Sequence, residues 1–288
     1  MQAASTQAAI LADGRLHLQH GPIDCLVRAW GEASEIDQAQ RQAAASFQGV
    51  LAGLCAELAA LRRALPSPPP SGDVARAMHR AVAPYMRHRI TPMAAVAGAV
   101  ADHVLAALVA GRVLDRAFVN NGGDIAFHLA PGATLACGLV ADLAAPSLGG
   151  RFMLRADHPA RGLATSGRAC KGRGGRSFSL GIADSVSVLA RTAAEADAAA
   201  TVIGNAVDLP GHRAVARRPA CDIDPDSDLG PRLVTWEVGP LAPDDIETAL
   251  DAGRARADGL CAAGRISGAV LCLRGRVVVC GIAALECA

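Results

Sequence analysis

Apolar residues recur along the chain with two spacings, one helical and one extended. Phe47, Val50, Leu54 and Leu61 follow a helical period within 34–64, so this range is predicted as one long helix. Further helices are predicted at 73–86, 93–110, 192–207 and 243–263. Thr192 and Glu195 have the spacing of a capping box at the start of the fourth helix.

Short apolar runs bounded by turn residues predict the strands. Asp13-Gly14 marks a hairpin within 8–30, and Arg274-Gly275-Arg276 marks a terminal hairpin at 266–283. Other strands are predicted at 117–119, 125–129, 134–140, 150–156, 177–182, 185–190 and 232–238. Because groups of helices and groups of strands follow one another without regular βαβ alternation, an α+β fold is expected.

Proline-rich and polar stretches punctuate this pattern. The run PSPPPSG (66–72) is predicted as an internal linker, because its prolines cannot continue a helix. A connection rich in Pro, Asp and Gly covers 208–231. We expect residues 1–288 to form a single domain, with the linker joining parts of one core.

Composition narrows the function classes. Of the 288 residues, 51% are hydrophobic and 19% charged, which is typical of a globular protein. A net charge of +1 and 3% aromatic residues favour neither nucleic-acid binding nor base stacking. The apolar stretch at 93–113 is Ala-rich and contains Asp102 and His103, so a buried helix is expected there and no membrane partner.

Cysteine usage and the first residues bear on location. The nine cysteines show no C-x-x-C pair, so free thiols in a reducing cytosol are expected. The first twenty residues lack a basic segment followed by an apolar one, so no secretory signal is expected. Together these observations predict a cytoplasmic protein.

Three segments carry polar side chains suited to chemistry. In FVNNGGDIAF (118–127), paired glycines let a ligand approach the backbone, or simply form a tight hairpin turn. In GLATSGRACKGRGGRSF (162–178), hydroxyls and cations are suited to phosphate, or form a solvated loop. On the helix 192–207, Asp197 and Thr201 share one face as hard oxygen ligands suited to Mg²⁺, or belong to a polar stripe.

These segments, in this order, resemble the ApbE-like superfamily, whose best-known members are FAD:protein FMN transferases. VNNGGDI (119–125), ATSG (164–167) and EADAAAT (195–201) are similar to its glycine turn, its T-S-G segment and its metal-binding helix. TPMAAVAGAVAD (91–102) is similar to its glycine-containing segment. The resemblance implies antiparallel sheets packed by helices in layers. Residues 21–27 and the C-terminal part, 210–288, resemble an uncharacterised cytoplasmic branch.

The resemblance also implies cofactors and roles. Asp197 and Thr201 would bind Mg²⁺ beside FAD. We also expect Asp184 to be a catalytic residue that orients the metal or the acceptor protein. The implied FAD pocket comprises Asn121, Gly122, Gly123, Asp124, Thr165, Ser166 and Gly167. From the basic Gly-rich loop itself, we expect Arg168 or Arg176 to compensate phosphate charge in a bound nucleotide.

One departure bears on the reaction. Gly181 stands where the transferases have a histidine that could act as general base, and Ser185 stands where they have proline. The leading hypothesis is a Mg²⁺-dependent FAD-binding enzyme of the FMN-transferase type. The alternatives are a flavin- or nucleotide-binding protein without transfer chemistry, and a structural homo-oligomer.

Overall fold

A computed structural model describes residues 5–140, 148–167 and 178–281, apart from the side chains of 139–140 and 148–152. The chain divides into two compact units, each assembled from several segments. The first comprises Met1–Ala136, Met153–Ala164 and Ala190–Asp197, and the second comprises Cys137–Phe152, Thr165–Leu189 and Ala198–Ala288. The prediction of a single domain stays a prediction.

The first unit is built on an antiparallel sheet. Its strands pair in the order β1–β2–β3–β4–β5–β8, and every pair is antiparallel. The strands are β1 (Gln7–Ile10), β2 (Leu16–His20), β3 (Ile23–Gly31), β4 (Leu114–Asn121), β5 (Asp124–Leu129) and β8 (Gly162–Ser166). The strands β6 (Thr134–Val140) and β7 (Leu148–Arg155) form a separate two-stranded ladder.

Helices pack beside this sheet, and the first and the fifth of them contact its strands. They are α1 (Ala33–Phe47), α2 (Val50–Ala56), α3 (Leu58–Leu61), α4 (Asp73–Val82) and α5 (Val96–Val109), with 3₁₀ turns at Ala83–His88 and Pro92–Ala95. Helix α5 packs against α1, β4 and β5. Fully buried side chains from both layers form the core, among them Leu18, Val27, Phe47, Met78, Val104 and Val119.

The second unit contains three antiparallel strands in the order β9–β12–β13, packed by α8. Its elements are β9 (Ser185–Ala190), β10 (Val215–Pro219), α7 (Ala220–Ile223), β11 (Leu233–Val238), α8 (Pro243–Ala262), β12 (Gly268–Leu273) and β13 (Arg276–Cys280). Strands β10 and β11 form a ladder of their own. Helix α6 (Ala193–Ala206) begins in the first unit and ends in the second.

The paired strands of each unit are antiparallel and packed by helices, so the predicted α+β class is confirmed. The sequence also located α6, α8 and the terminal hairpin correctly. The apolar segment Pro92–Val109 has a mean hydropathy of 1.7 and is long enough to cross a membrane. In the structure, the helix in this segment packs within the first unit, as predicted for a buried helix.

Two predicted elements were wrong, and three elements were missed. The predicted helix 34–64 is interrupted because Gly49 adopts a left-handed conformation, with φ of +81°. Strand β8 was missed, as were β10 and α7 within the predicted connection 208–231. The described part of the predicted strand 177–182 is irregular. Its Leu180 and Ile182 amides bond to Asn205 Oδ1 (3.0 Å) and to the carbonyl of Val207 (2.8 Å) at the end of α6, instead of to a neighbouring strand.

Candidate functional site

The turn between β4 and β5 is a two-residue hairpin loop formed by Gly122 and Gly123. Their φ angles are +64° and +109°, which glycine adopts without strain. Asn120 Oδ1 accepts the Gly123 N–H over 2.8 Å and closes the turn. A Cβ built on either glycine would have nothing within 4 Å, so the turn presents open space above its backbone. Both interpretations of the segment, tight turn and approachable backbone, are compatible with this geometry.

Asn121 ties this turn to the start of α5. Its side chain is only 7% exposed, and its Nδ2 donates to the carbonyl oxygen of Ala97 over 3.1 Å. Asp124, across the turn, is similarly buried, at 8% exposure. A buried amide needs a partner, so the hydrogen bond to Ala97 fixes the orientation of Asn121.

Asp197 reaches the same point from α6. Its Oδ2 accepts the backbone N–H of Gly98 over 3.1 Å, next in the chain to the residue that Asn121 contacts. The carboxylate near the first turn of α5 also faces the positive end of that helix. The structure thus brings two sequence-predicted residues, Asn121 and Asp197, to neighbouring peptide groups of α5.

Asp102 makes the reverse contact from α5 to α6. Its Oδ1 and Oδ2 accept the backbone N–H groups of Ala193 and Ala194, both over 2.9 Å. Desolvation raises the pKa of this carboxyl to about 6, although the hydrogen bonds from Ala194 and Ala193 act in the opposite direction. The segment 91–102 was singled out from the sequence, but no role was predicted for Asp102.

Thr201 and Asn205 continue the polar stripe of Asp197 along α6. The three side chains are half-buried and lie at successive four-residue intervals on a helix that is otherwise mostly buried. A carboxylate and a hydroxyl on one face fit Mg²⁺, which prefers oxygen ligands and retains water or phosphate. No group of three or more His, Cys, Asp and Glu side chains among the described residues could hold a metal. Metal binding by Asp197 and Thr201 would therefore require further oxygens from water or a ligand.

The T-S-G segment ends β8 in the second unit. Thr165 Oγ1 and Ser187 Oγ are 2.8 Å apart. Ser166 Oγ would lie 3.9 Å from a Cβ built on Gly204, three residues after Thr201 on α6. The structure therefore brings the Ser166 hydroxyl close to the helix that carries Thr201, whereas the Thr165 hydroxyl contacts Ser187 on β9.

Gly167 and Asp184 are packed together beside this segment. Gly167 has a φ of +144°, and a Cβ there would lie 2.3 Å from the carbonyl oxygen of Asp184. Asp184 Oδ2 accepts the backbone N–H of Arg274 over 2.5 Å, at the turn between β12 and β13. This bond orients the carboxylate towards the hairpin, and the predicted catalytic role of Asp184 stays a prediction.

Gly181 is enclosed by the end of α6. A Cβ built on it would lie 2.1 Å from the carbonyl oxygen of Gly204 and 2.7 Å from that of Val207. Because both neighbours are backbone atoms, neither can rotate away. The local packing therefore leaves no room for a histidine side chain at this position.

The predicted residues thus fall into two groups. Asn121 and Asp197 meet at Ala97–Gly98 in the first unit, whereas Thr165, Ser166, Gly167 and Asp184 lie in the second. Arg168 and Arg176 lie outside the described residues. Sequence reasoning missed the amide of Gly98 and the carboxylate of Asp102, although Gly98 and Asp102 both lie in the glycine-containing segment that it had singled out.

Residues 8–279 match the family model described as AbpE bacteria. The chain belongs to this family. The match extends over nearly the whole chain, beyond the quoted motifs and into the C-terminal part. Membership confirms the ApbE-like resemblance and says nothing by itself about the reaction.

Curated relatives match over part of their length. The UPF0280 protein of Methanothermobacter thermautotrophicus is 39% identical over 121 residues, 42% of this chain and 44% of the relative. The UPF0280 protein of Methanococcoides burtonii is 35% identical over 149 residues, 50% of this chain and 57% of the relative. The matches therefore span about half the length of these relatives.

Two solved structures also align. The flavin transferase ApbE from Vibrio cholerae has a TM-score of 0.43 and 11% identity, and the alignment covers 96% of this chain and 97% of that one. A mutant of the same protein gives a TM-score of 0.40 and 12% identity. At these values the likeness carries no inference about ligand or reaction.

Proposed function

We propose that this protein binds a flavin nucleotide such as FAD together with Mg²⁺, as an enzyme of the FMN-transferase type. The observation that carries the proposal is the meeting of Asn121 and Asp197 at Ala97–Gly98, beside an open diglycine turn. Membership of the ApbE-like superfamily supports the flavin, because these motifs form the flavin pocket in its transferases. A location in the cytoplasm is part of the same proposal.

Asp197 and Thr201 would hold the metal, and the nucleotide's phosphates would supply further oxygen ligands. Bound there, Mg²⁺ would neutralise negative charge on the phosphates. The backbone at Gly122–Gly123 is exposed and open to a ligand.

A second candidate is a flavin-binding protein that does not transfer FMN. The enclosure of Gly181 supports it, because the position at which transferases carry a histidine has no room for a side chain. If transfer to an acceptor protein does occur, its general base must come from elsewhere in the chain or from the acceptor. Turnover of FAD to AMP and protein-bound FMN would decide in favour of the transferase.

Calorimetry with FAD, in the presence and absence of Mg²⁺, tests the proposal. Wild type should bind FAD more tightly with Mg²⁺, and Asp197→Asn should lose most of that difference. Glu195→Gln is the matched control, because Glu195 lies two residues away on α6 and pairs with Arg191. Wild type that binds no FAD at saturating concentrations, with or without Mg²⁺, would reject the proposal.

A further inference from the structure

Helix α6 is capped by a side chain from a distant part of the chain. Its first amides have no partner within the helix, as at every helix start. Asp102, 91 residues earlier, accepts the N–H of Ala193 at Oδ1 and that of Ala194 at Oδ2. Thr192 Oγ1 accepts the N–H of Glu195 over 3.1 Å. Two side chains, one local and one from α5, therefore satisfy the start of α6.

A second carboxylate joins the two helices in the opposite direction: Asp197 on α6 accepts the N–H of Gly98 on α5. The two helices approach closely between these bonds, since a Cβ on Gly98 would lie 2.3 Å from the carbonyl oxygen of Ala193. Each of the helices α5 and α6 thus provides one carboxylate that accepts backbone N–H groups of the other helix. Between these two sets of bonds, the helices are in close contact at Gly98. Displacement of the start of α6 would lengthen both sets of bonds.

We propose that Asp102 is a positioning residue for the metal and nucleotide site. By holding the first turn of α6 against α5, it fixes the Asp197 carboxylate beside Gly98 and Ala97, and therefore beside Asn121. Both oxygens of Asp102 bind backbone amides of α6, so Asp102 acts through the position of that helix. The metal-binding part of this inference rests on the proposed function, whereas the positioning of Asp197 does not.

Asp102→Asn is the informative variant. It preserves the shape of the side chain, but its amide group replaces one of the two acceptors with a donor. Arg191→Ala is the matched control, because it removes an exposed ion pair with Glu195 (2.8 Å) at the same helix start. Two readouts apply to both variants: hydrogen exchange of the Gly98 amide by NMR, and the ratio of FAD affinities with and without Mg²⁺.

In Asp102→Asn, we expect the Gly98 amide to exchange about fivefold faster and the Mg²⁺-dependent gain in FAD affinity to fall about tenfold. Adding Asp197→Asn should reduce that gain no further, because both changes disrupt one arrangement. Arg191→Ala should alter neither readout. If Asp102→Asn does not fold in buffer, the same measurements in trimethylamine N-oxide restore a folded population.

A folded Asp102→Asn with wild-type exchange at Gly98 would overturn the positioning role. The positioning role would also be overturned if wild type binds FAD more tightly with Mg²⁺ and Asp102→Asn shows the same ratio of FAD affinities with and without Mg²⁺. If wild type shows no Mg²⁺-dependent binding, the proposed function fails, and the exchange of Gly98 alone decides whether Asp102 positions Asp197.

Discussion

A Cβ on Gly181 would lie 2.1 Å from the carbonyl oxygen of Gly204, so the end of α6 occupies the space that a side chain would need. The contact joins an irregular segment to a helix through backbone atoms alone. Since transferases of the superfamily have histidine here, this relationship bears directly on which reaction the protein can perform. A base at position 181 would require α6 or the segment 180–182 to move.

Introducing a histidine at position 181 should therefore destabilise the protein without producing FMN transfer. We expect Gly181→His to destabilise the protein by about 3 kcal/mol or more, because the added atoms overlap main-chain atoms, and to create no FMN transfer. Urea unfolding and mass analysis after incubation with FAD and Mg²⁺ measure the two effects. Gly259→Ala is the control, since a Cβ there meets nothing within 4 Å. A stable Gly181→His protein that transfers FMN would contradict the packing argument.

A side chain at position 98 should also lower the stability of the protein. We expect Gly98→Ala to lower the free energy of unfolding by about 1–3 kcal/mol, because its Cβ would overlap the backbone of Ala193. In contrast, Gly53→Ala in α2 should raise stability by up to about 1 kcal/mol, because it improves helix propensity in open space. Chemical denaturation of both variants checks the prediction, and equal effects would refute it.

The Asp102 carboxyl should make stability depend on pH. Burial raises its pKa from 3.8 to about 6, so the folded state holds this proton more tightly than the unfolded chain. The protonated Asp102 carboxyl therefore contributes to the free energy of unfolding at low pH, and this contribution is lost as the pH rises through about 6. We expect the stability of wild type relative to Asp102→Asn to fall by about 1 kcal/mol between about pH 5 and about pH 8. A difference that is constant or rises with pH would contradict this assignment.

Asn121 should contribute to both the fold and the site. Asn121→Ala leaves the carbonyl of Ala97 without its side-chain donor, so we expect a loss of about 1–2 kcal/mol in unfolding free energy. Under the proposed function, FAD affinity should fall as well, whereas His17→Ala, a change at a partly exposed position on β2, two strands away in the sheet, should leave affinity unchanged. Calorimetry on both folded variants separates the two effects.

The sequence predicted what local periodicity encodes. The polar stripe of Asp197, Thr201 and Asn205 follows from helical spacing, and the turn at Gly122–Gly123 follows from paired glycines between strands. Thr192 was correctly predicted to cap α6. These features depend on neighbours within one or two turns of chain, which is why a single sequence reveals them.

Long-range contacts could not be predicted in the same way. The bonds from Asp102 to α6 and from Gly98 to Asp197 join positions more than 90 residues apart, and no local pattern specifies such partners. Strand β8 was missed because its Gly and Ser residues are typical of loops. The enclosure of Gly181 depends on the position of α6, whereas the sequence shows only that histidine is missing.

The most direct test of the metal site is Mn²⁺ binding followed by electron paramagnetic resonance, with Mn²⁺ as a probe for Mg²⁺ and FAD present. In wild type, we expect the signal of free Mn²⁺ to fall as protein is added, and excess Mg²⁺ to restore it. Thr201→Val, which keeps the shape but removes the hydroxyl ligand, should weaken this binding about tenfold. Wild type that leaves the free Mn²⁺ signal unchanged in the presence of FAD, or a Thr201→Val protein that binds as wild type does, would contradict the account.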